Sequence, residues 1–362
     1  MSRHQHGGNV AAVAARFGID PGAFTDFSVN TNPLGPPAEV AHLLREAAAL
    51  AAAYPDPDYR ALRGAAAAFY GVDADRVIAG NGAVELIYLV AQVLQPHTVL
   101  IPAPTFKEYE LVSRLCQARV KHFYLDPRRD FIPRLPQLIR AVRGVDLVFL
   151  CNPNNPTGTR LPVAVLKPFL RHCLKRRVFL VVDESFLLFH PNWRQLTCIP
   201  EAASGGILVL QSLTKFFAVP GLRIGCGIGS PEIIARLSSR QPPWHVNALA
   251  EAAARVAFQA GDYARQTMDL VIPERLWLSR SLLELRLVRR VFPSAANFLL
   301  LELQPPATAP ALWEQLARRG VLVRDCSNFA FLGDRFIRVA VRDRERNSLL
   351  LEQLKQLDTA SI

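Results

Sequence analysis

Lysine is scarce in this chain. Of 42 basic residues only six are lysine, at positions 107, 121, 167, 175, 215 and 355. Lys215 stands in "QSLTKFFAVPGLRIG" (211–225), after the hydroxyl residues Ser212 and Thr214, before two phenylalanines and eight positions ahead of Arg223. A lysine among apolar neighbours loses its proton more readily and can attack a carbonyl, although a surface lysine snorkelling to water is the commoner case. Here two hydroxyls and a guanidinium beyond a Pro-Gly turn could also converge on one phosphate. Asp183 ends the apolar run "FLVVDES" (179–185), where an unpaired buried carboxylate would be costly. It either caps the next helix or faces a cationic ring nitrogen and keeps that nitrogen protonated. Glu184 would point to the other side of a strand. "LCNPNNPTG" (150–158) is a tight polar turn after an apolar strand, either a plain connection or a ligand-facing loop that includes Asn155. "IAGNGAVEL" (78–86) is a glycine turn at Gly82 entering a helix, whose N–H groups suit the same phosphate.

The elements that must position these residues alternate between two periods. Residues 98–104, 146–153, 178–185 and 207–214 read as strands ending in polar or turn-forming residues, and helical spacing fills the segments between them. Buried strands separated by helices predict an α/β fold with a mostly parallel sheet covered on both faces, its ligands lying at the carboxyl ends of the strands. After residue 245 the pattern changes. A long helical stretch from 247 to 288 leads to strand-like "ANFLLLEL", "GVLVRD" and "RFIRVAVR", which suggests a smaller α+β domain. The expected division is an N-terminal segment (1–45) that joins the small domain and covers the site, a large domain (46–245) and a small C-terminal domain (246–362). "DFSVNTNPLGPP" in the first of these is rich in proline and asparagine and reads as irregular.

Composition narrows the function classes. The 362 residues are 50% hydrophobic and 20% charged, a globular composition with room for a large core. The net charge of +11 comes from arginines spread along the chain without a basic block, so no nucleic-acid partner is expected and small acidic substrates fit the charge as well. The six cysteines form no CxxC pair and read as buried free thiols, with no metal site. No secretory h-region and no apolar run of about 18 residues is present, which predicts a soluble cytoplasmic protein and no membrane partner.

In chain order the motifs are a glycine turn, an aromatic (Phe106) after "PAPT", an Asn-Pro turn, a strand-end aspartate and a hydroxyl–lysine–arginine cluster. A phosphate cup, a pyridinium partner and an amine for a carbonyl are what pyridoxal 5'-phosphate requires. Over nearly its whole length the chain resembles the fold-type I pyridoxal-phosphate enzymes, in the group that contains histidinol-phosphate aminotransferases. More narrowly it resembles the L-threonine O-3-phosphate decarboxylase branch of cobalamin biosynthesis. That resemblance rests on "HGGN" (6–9), "DFSVNTNPLG" (26–35), "YPDPDY" (54–59), "SLTKFFAVPGLRIG" (212–225), "PPWHVNALA" (242–250), "VRDCSN" (323–328) and "FIRVAVR" (336–342). It implies a seven-stranded, mostly parallel large-domain sheet. It further implies that Lys215 holds the cofactor covalently, Asp183 pairs with its ring nitrogen, Asn155 bonds its ring oxygen and Phe106 stacks on its face. Gly82, Ser212, Thr214 and Arg223 would hold its phosphate, with Tyr54 reaching the site of a partner subunit in a homodimer. Arg338 would bind the substrate carboxylate, and His6, Asn30 and Arg324 would gather at the phosphate of a phosphorylated amino acid, with Asn155 also near the substrate. Two departures stand out. Aminotransferases of this group usually carry tyrosine where Phe186 stands, which favours decarboxylation, and Gln211 replaces a common basic residue.

Overall fold

A computed structural model describes residues 7–359. Seven strands form the large sheet: β1 (Val77–Gly80), β2 (Thr98–Ala103), β3 (Arg119–Tyr124), β4 (Leu147–Cys151), β5 (Phe179–Asp183), β6 (Ile207–Ser212) and β7 (Gly225–Ile228). Their spatial order is β1-β7-β6-β5-β4-β2-β3. Six run parallel, and β7 alone is antiparallel to its neighbours β1 and β6. The central strands are apolar throughout because both faces are covered. Leu147 and Phe149 pack into one hydrophobic cluster while Val148 and Leu150 pack into the opposite one, the two-residue period of a strand with no solvent face. Short β7, "GCGI", lacks the β-branched signature of a strand for a steric reason. A Cβ on Gly225 would lie 2.5 Å from the amide nitrogen of Ala83, at the start of helix Ala83–Leu94.

The second sheet is wholly antiparallel, in the order β10-β11-β9-β8, from strands β8 (Val288–Val291), β9 (Phe298–Leu303), β10 (Arg324–Asp325) and β11 (Phe336–Ala340). The stretch expected to be helical to residue 288 divides into Ala248–Ala257 and Tyr263–Leu283, and Val288 already begins a strand. The break falls at residues 258–262, "FQAGD", where glycine and aspartate interrupt the helical spacing. Helix Ala248–Ala257 packs on helices Ala38–Arg45 and Arg60–Tyr70, and its buried alanines join the cluster under the large sheet. A separate cluster, including Leu278, Leu299, Val339 and Leu354, fills the core beside the second sheet. Near the start of the described chain, Thr25–Asp26 pairs in parallel with Val321–Leu322, and the irregular segment after it crosses toward the large sheet. No helix among the described residues is long and apolar enough to cross a membrane. All six cysteines are free, and all but Cys116 are buried.

Candidate active site

The carboxyl ends of β4, β5 and β6 open on one cavity of about 440 Å³. Its lining brings together residues far apart in sequence: Asn30, Phe106, Asn155, Asp183, Lys215 and Arg338, with Ser212, Thr214, Arg223 and Arg324. Among the described residues, two of the expected site residues lie outside this lining. Gly82 lies one residue before the lining Ala83. Tyr54 is 80% exposed and packs at a tilt of 32° on Trp244, ring centroids 4.6 Å apart, outside its own chain's cavity lining. His6 lies outside the described residues.

Lys215 sits in the short helix Leu213–Phe216 that follows β6 directly. Withdrawal from water, then the positive charges of Arg338 and Arg223, depress its ammonium to about 8 against an ordinary 10.5, while Asp183 opposes the shift. At neutral pH a usable fraction of the amine is therefore unprotonated, as a nucleophile toward a carbonyl requires. Asp183, the last residue of β5, is buried and held from two sides. The hydroxyl of Tyr109 donates to its Oδ2 at 2.6 Å, and the amide of Ser185 donates to its Oδ1 at 2.9 Å. The carboxylate thus closes a local turn and faces the cavity, and it does not cap the next helix, Leu187–Phe189, which has no side-chain cap. Tyr109 was missed in the sequence. Its ring stacks on Phe149 of β4 (5.1 Å, 7° between planes), and burial beside Asp183 raises its phenol well above the ordinary value. The only signal was its place three residues after Phe106, one helical turn on.

At the other end of the cavity lie the parts of an anion cup. Ser212 Oγ and Thr214 Oγ1 are 2.8 Å apart. Helix Ala83–Leu94 starts beside them, its N-cap Gly82 at φ 78°. That positive φ strains any side chain, and a Cβ there would also lie 2.7 Å from Nη2 of Arg223 and push the guanidinium aside. Hydroxyls, a guanidinium and free helix-start amides suit a dianionic phosphate. The Asn-Pro loop divides its labour. Asn154 is structural: Thr105 Oγ1 donates to its Oδ1 at 2.6 Å, and its Nδ2 donates to the carbonyl of Pro104. Asn155 faces the cavity and accepts from Nη1 of Arg338.

Arg338 and Arg324 are buried, on β11 and β10, and both open on the cavity. Neither has a carboxylate partner among the described residues. Arg338 Nη2 donates to the carbonyl of Ser28 at 2.7 Å, its Nε has no acceptor, and Arg324 Nη2 donates to Asn328 Oδ1 at 2.8 Å. Burial pushes the Arg338 guanidinium down to about 10. Such buried guanidiniums suit a carboxylate or a phosphate arriving with the ligand. Phe186 lines the cavity and packs edge-on against Phe298 at 5.0 Å. Gln211 faces the opposite side of the sheet, where its Nε2 donates to Glu184 Oε2 at 3.0 Å, so it takes no part in an anion cup. Burial raises Glu184 to about 7, and Thr197 Oγ1 and the amide of Cys198 also donate to it.

Comparison with known proteins decides the family. The family model for aminotransferase class I and II matches residues 23–354. The chain belongs to this family. It is 35% identical over 356 residues to threonine-phosphate decarboxylase from Salmonella typhimurium, covering 98% of this chain and 96% of that one. It is 32% identical over 365 residues to histidinol-phosphate aminotransferase from Methanopyrus kandleri, covering 95% and 91%. The crystal structure of L-threonine-O-3-phosphate decarboxylase from Porphyromonas gingivalis superposes with a TM-score of 0.82 at 25% identity, covering 92% and 99%. The chain is therefore a fold-type I enzyme dependent on pyridoxal 5'-phosphate, as the resemblance implied. The residues on the cavity fit that cofactor: an amine of depressed basicity, a buried carboxylate and a glycine-floored anion cup face one another across it.

Proposed function

We propose that this enzyme decarboxylates L-threonine O-3-phosphate to (R)-1-amino-2-propanol O-2-phosphate, a building block for cobalamin. The observation that carries the reading is the pair Arg324 and Arg338, two guanidiniums on one cavity with no carboxylate among the described residues to neutralise either. A substrate with both a phosphate and a carboxylate satisfies both.

When bound, pyridoxal 5'-phosphate supplies a carbonyl that takes up an amine and a cationic ring that accepts the electrons of a bond broken at Cα. Lys215 is the amine that would hold it. Asp183, fixed by Tyr109 and Ser185, would keep a proton on the ring nitrogen. Asn155 would bond the ring oxygen and Phe106 would cover the ring face. Gly82, Ser212, Thr214 and Arg223 would hold the phosphate, and Tyr54, exposed on its own chain, would reach across a homodimer to the partner's site. Arg338 binds the substrate carboxylate, and Arg324, Asn30 and His6 bind its phosphate. These contacts would orient the substrate and so decide which bond at Cα is broken. Held for loss of its carboxylate, the substrate would release carbon dioxide, and Lys215 would supply the proton that replaces it at Cα. Held for loss of the Cα proton, the same residues would serve transamination. Phe186, without a hydroxyl at the ring oxygen, favours the first. Action in the cytoplasm accords with the reading.

Purified holoenzyme is given L-threonine O-3-phosphate while carbon dioxide and amine product are followed, and separately histidinol phosphate with 2-oxoglutarate while glutamate is followed. Carbon dioxide from the first and no glutamate from the second is the expected result. Glutamate without carbon dioxide would overturn the decarboxylase reading in favour of the aminotransferase.

A further inference from the structure

Residues 26–31, "DFSVNT", have almost no regular structure, yet they supply Ser28, Val29 and Asn30 to the cavity. Six consecutive carbonyls of this strap are held by the small sheet and its flanks. The carbonyl of Asp26 accepts from Nε and Nη2 of Arg342, at 3.1 and 2.5 Å. That of Phe27 accepts from the amide of Ala340 at 2.8 Å. Ser28 accepts from Arg338 Nη2, and Val29 from Arg342 Nη2 at 3.0 Å. Asn30 accepts from Asn297 Nδ2 at 3.1 Å. Thr31 accepts from Arg342 Nη1 at 3.2 Å through its carbonyl and again through its hydroxyl.

Arg342 thus grips three of the six carbonyls, a task for a planar fork of five donors that no other side chain can match. Its own backbone is clamped too, for its amide donates to Asn347 Oδ1 at 3.0 Å while Asn347 Nδ2 donates to its carbonyl at 2.8 Å. Immediately past the strap, the amide of Asn32 donates to the carbonyl of Lys215 at 2.9 Å, and Asn32 Nδ2 donates to that of Phe216. Ser28 Oγ also accepts from the amide of Gly8, at 2.9 Å. The strap therefore joins the substrate-facing arginines to the turn that carries the lysine.

We infer that Arg342 is a positioning residue for substrate binding: without touching the cavity, it holds the strap so that Ser28, Val29 and Asn30 face the ligand and Arg338 is aimed beside them. This rests on the proposed function only for the identity of the ligand. The test compares holoenzymes of wild type, R342K and R342M, titrated with L-threonine O-3-phosphate against the visible band of the bound cofactor. Loss of five charge-assisted bonds to the strap should raise the substrate Kd about tenfold in R342M, and less in R342K, which keeps a charge but not the fork. Cofactor retention should be unchanged in both, and Tm should stay within about 3 °C. An unchanged substrate Kd, or a rise that only follows cofactor loss or a lower Tm, would overturn the inference. If R342M does not fold, R342K decides by the same criteria. If wild type ignores L-threonine O-3-phosphate but responds to histidinol phosphate, the proposed function fails. The same comparison with histidinol phosphate then decides the role of Arg342.

Discussion

Replacing Lys215 by methionine in the cofactor-free protein should make it more stable, by an amount that depends on pH. The lysine is held near 8 rather than 10.5 because burial and two arginines disfavour its ammonium form. At 1.36 kcal/mol per unit, that costs the folded state about 3 kcal/mol whenever the lysine is protonated in both folded and unfolded chains. The sign follows from proton binding. Between 8 and 10.5 the unfolded chain holds a proton that the folded one has released, so wild-type stability rises with pH across that window. Below it the cost is paid in full, and above it the cost is gone. Apo K215M should therefore melt roughly 4 °C above apo wild type at pH 7 for a chain of this size, and the gap should close toward pH 10.5. Thermal unfolding of both proteins at matched concentration from pH 7 to 10.5 measures it. A gap that does not change with pH, or a variant less stable at pH 7, would refute the account of Lys215 as a strained ammonium awaiting its reaction partner.

Other parts of the site give sharper functional readouts. Gly82→Ala should weaken cofactor binding by about tenfold or more, since a Cβ there meets Arg223 and the backbone is left-handed; the cofactor Kd from absorbance titration tests it, and an unchanged value counts against the cup. Tyr109→Phe removes one of two bonds to Asp183 and should cost about 1–2 kcal/mol, or roughly tenfold in turnover, with cofactor still bound. Arg324→Met should raise KM for L-threonine O-3-phosphate with kcat changed far less; equal loss in both would place Arg324 in the chemical step instead.

Much of the site was legible because chemistry is dear to bury. A carboxylate ending "FLVV" needs partners, which Tyr109 and Ser185 supply, and a lysine before "FF" is buried at the cost of its basicity. What could not be read was adjacency across the sheet. Tyr109 meets Asp183 because the strand before its helix lies next but one to β5, an order that local sequence does not encode. β7 was hidden because close approach to Ala83 and Ile78 requires glycine where a strand normally shows valine or isoleucine. β3, "RVKHFY", is the sheet's edge strand and only half-buried, so it lacks the apolar run that marked its neighbours. Gln211, which replaces a common basic residue, is turned by alternation along β6 to the face away from the cavity. Arg342, the last residue of "FIRVAVR", carried no sign of its role, since its acceptors are mostly backbone carbonyls.

The strap also fixes an order of events during synthesis. Its carbonyls wait for donors 267 to 316 residues further along the chain. At roughly 5–20 residues per second, the ribosome delivers Arg342 some 15–60 s after the strap itself has emerged. Late in that interval, once residues to Ile228 have emerged, the large sheet can fold and present Lys215 and Asp183, but the wall that faces the substrate still lacks its donors from Arg338, Ala340 and Arg342. The portion of the active site translated first is completed last, and a nascent chain missing only its final strand and helix would carry the cofactor's residues without an ordered place for the substrate.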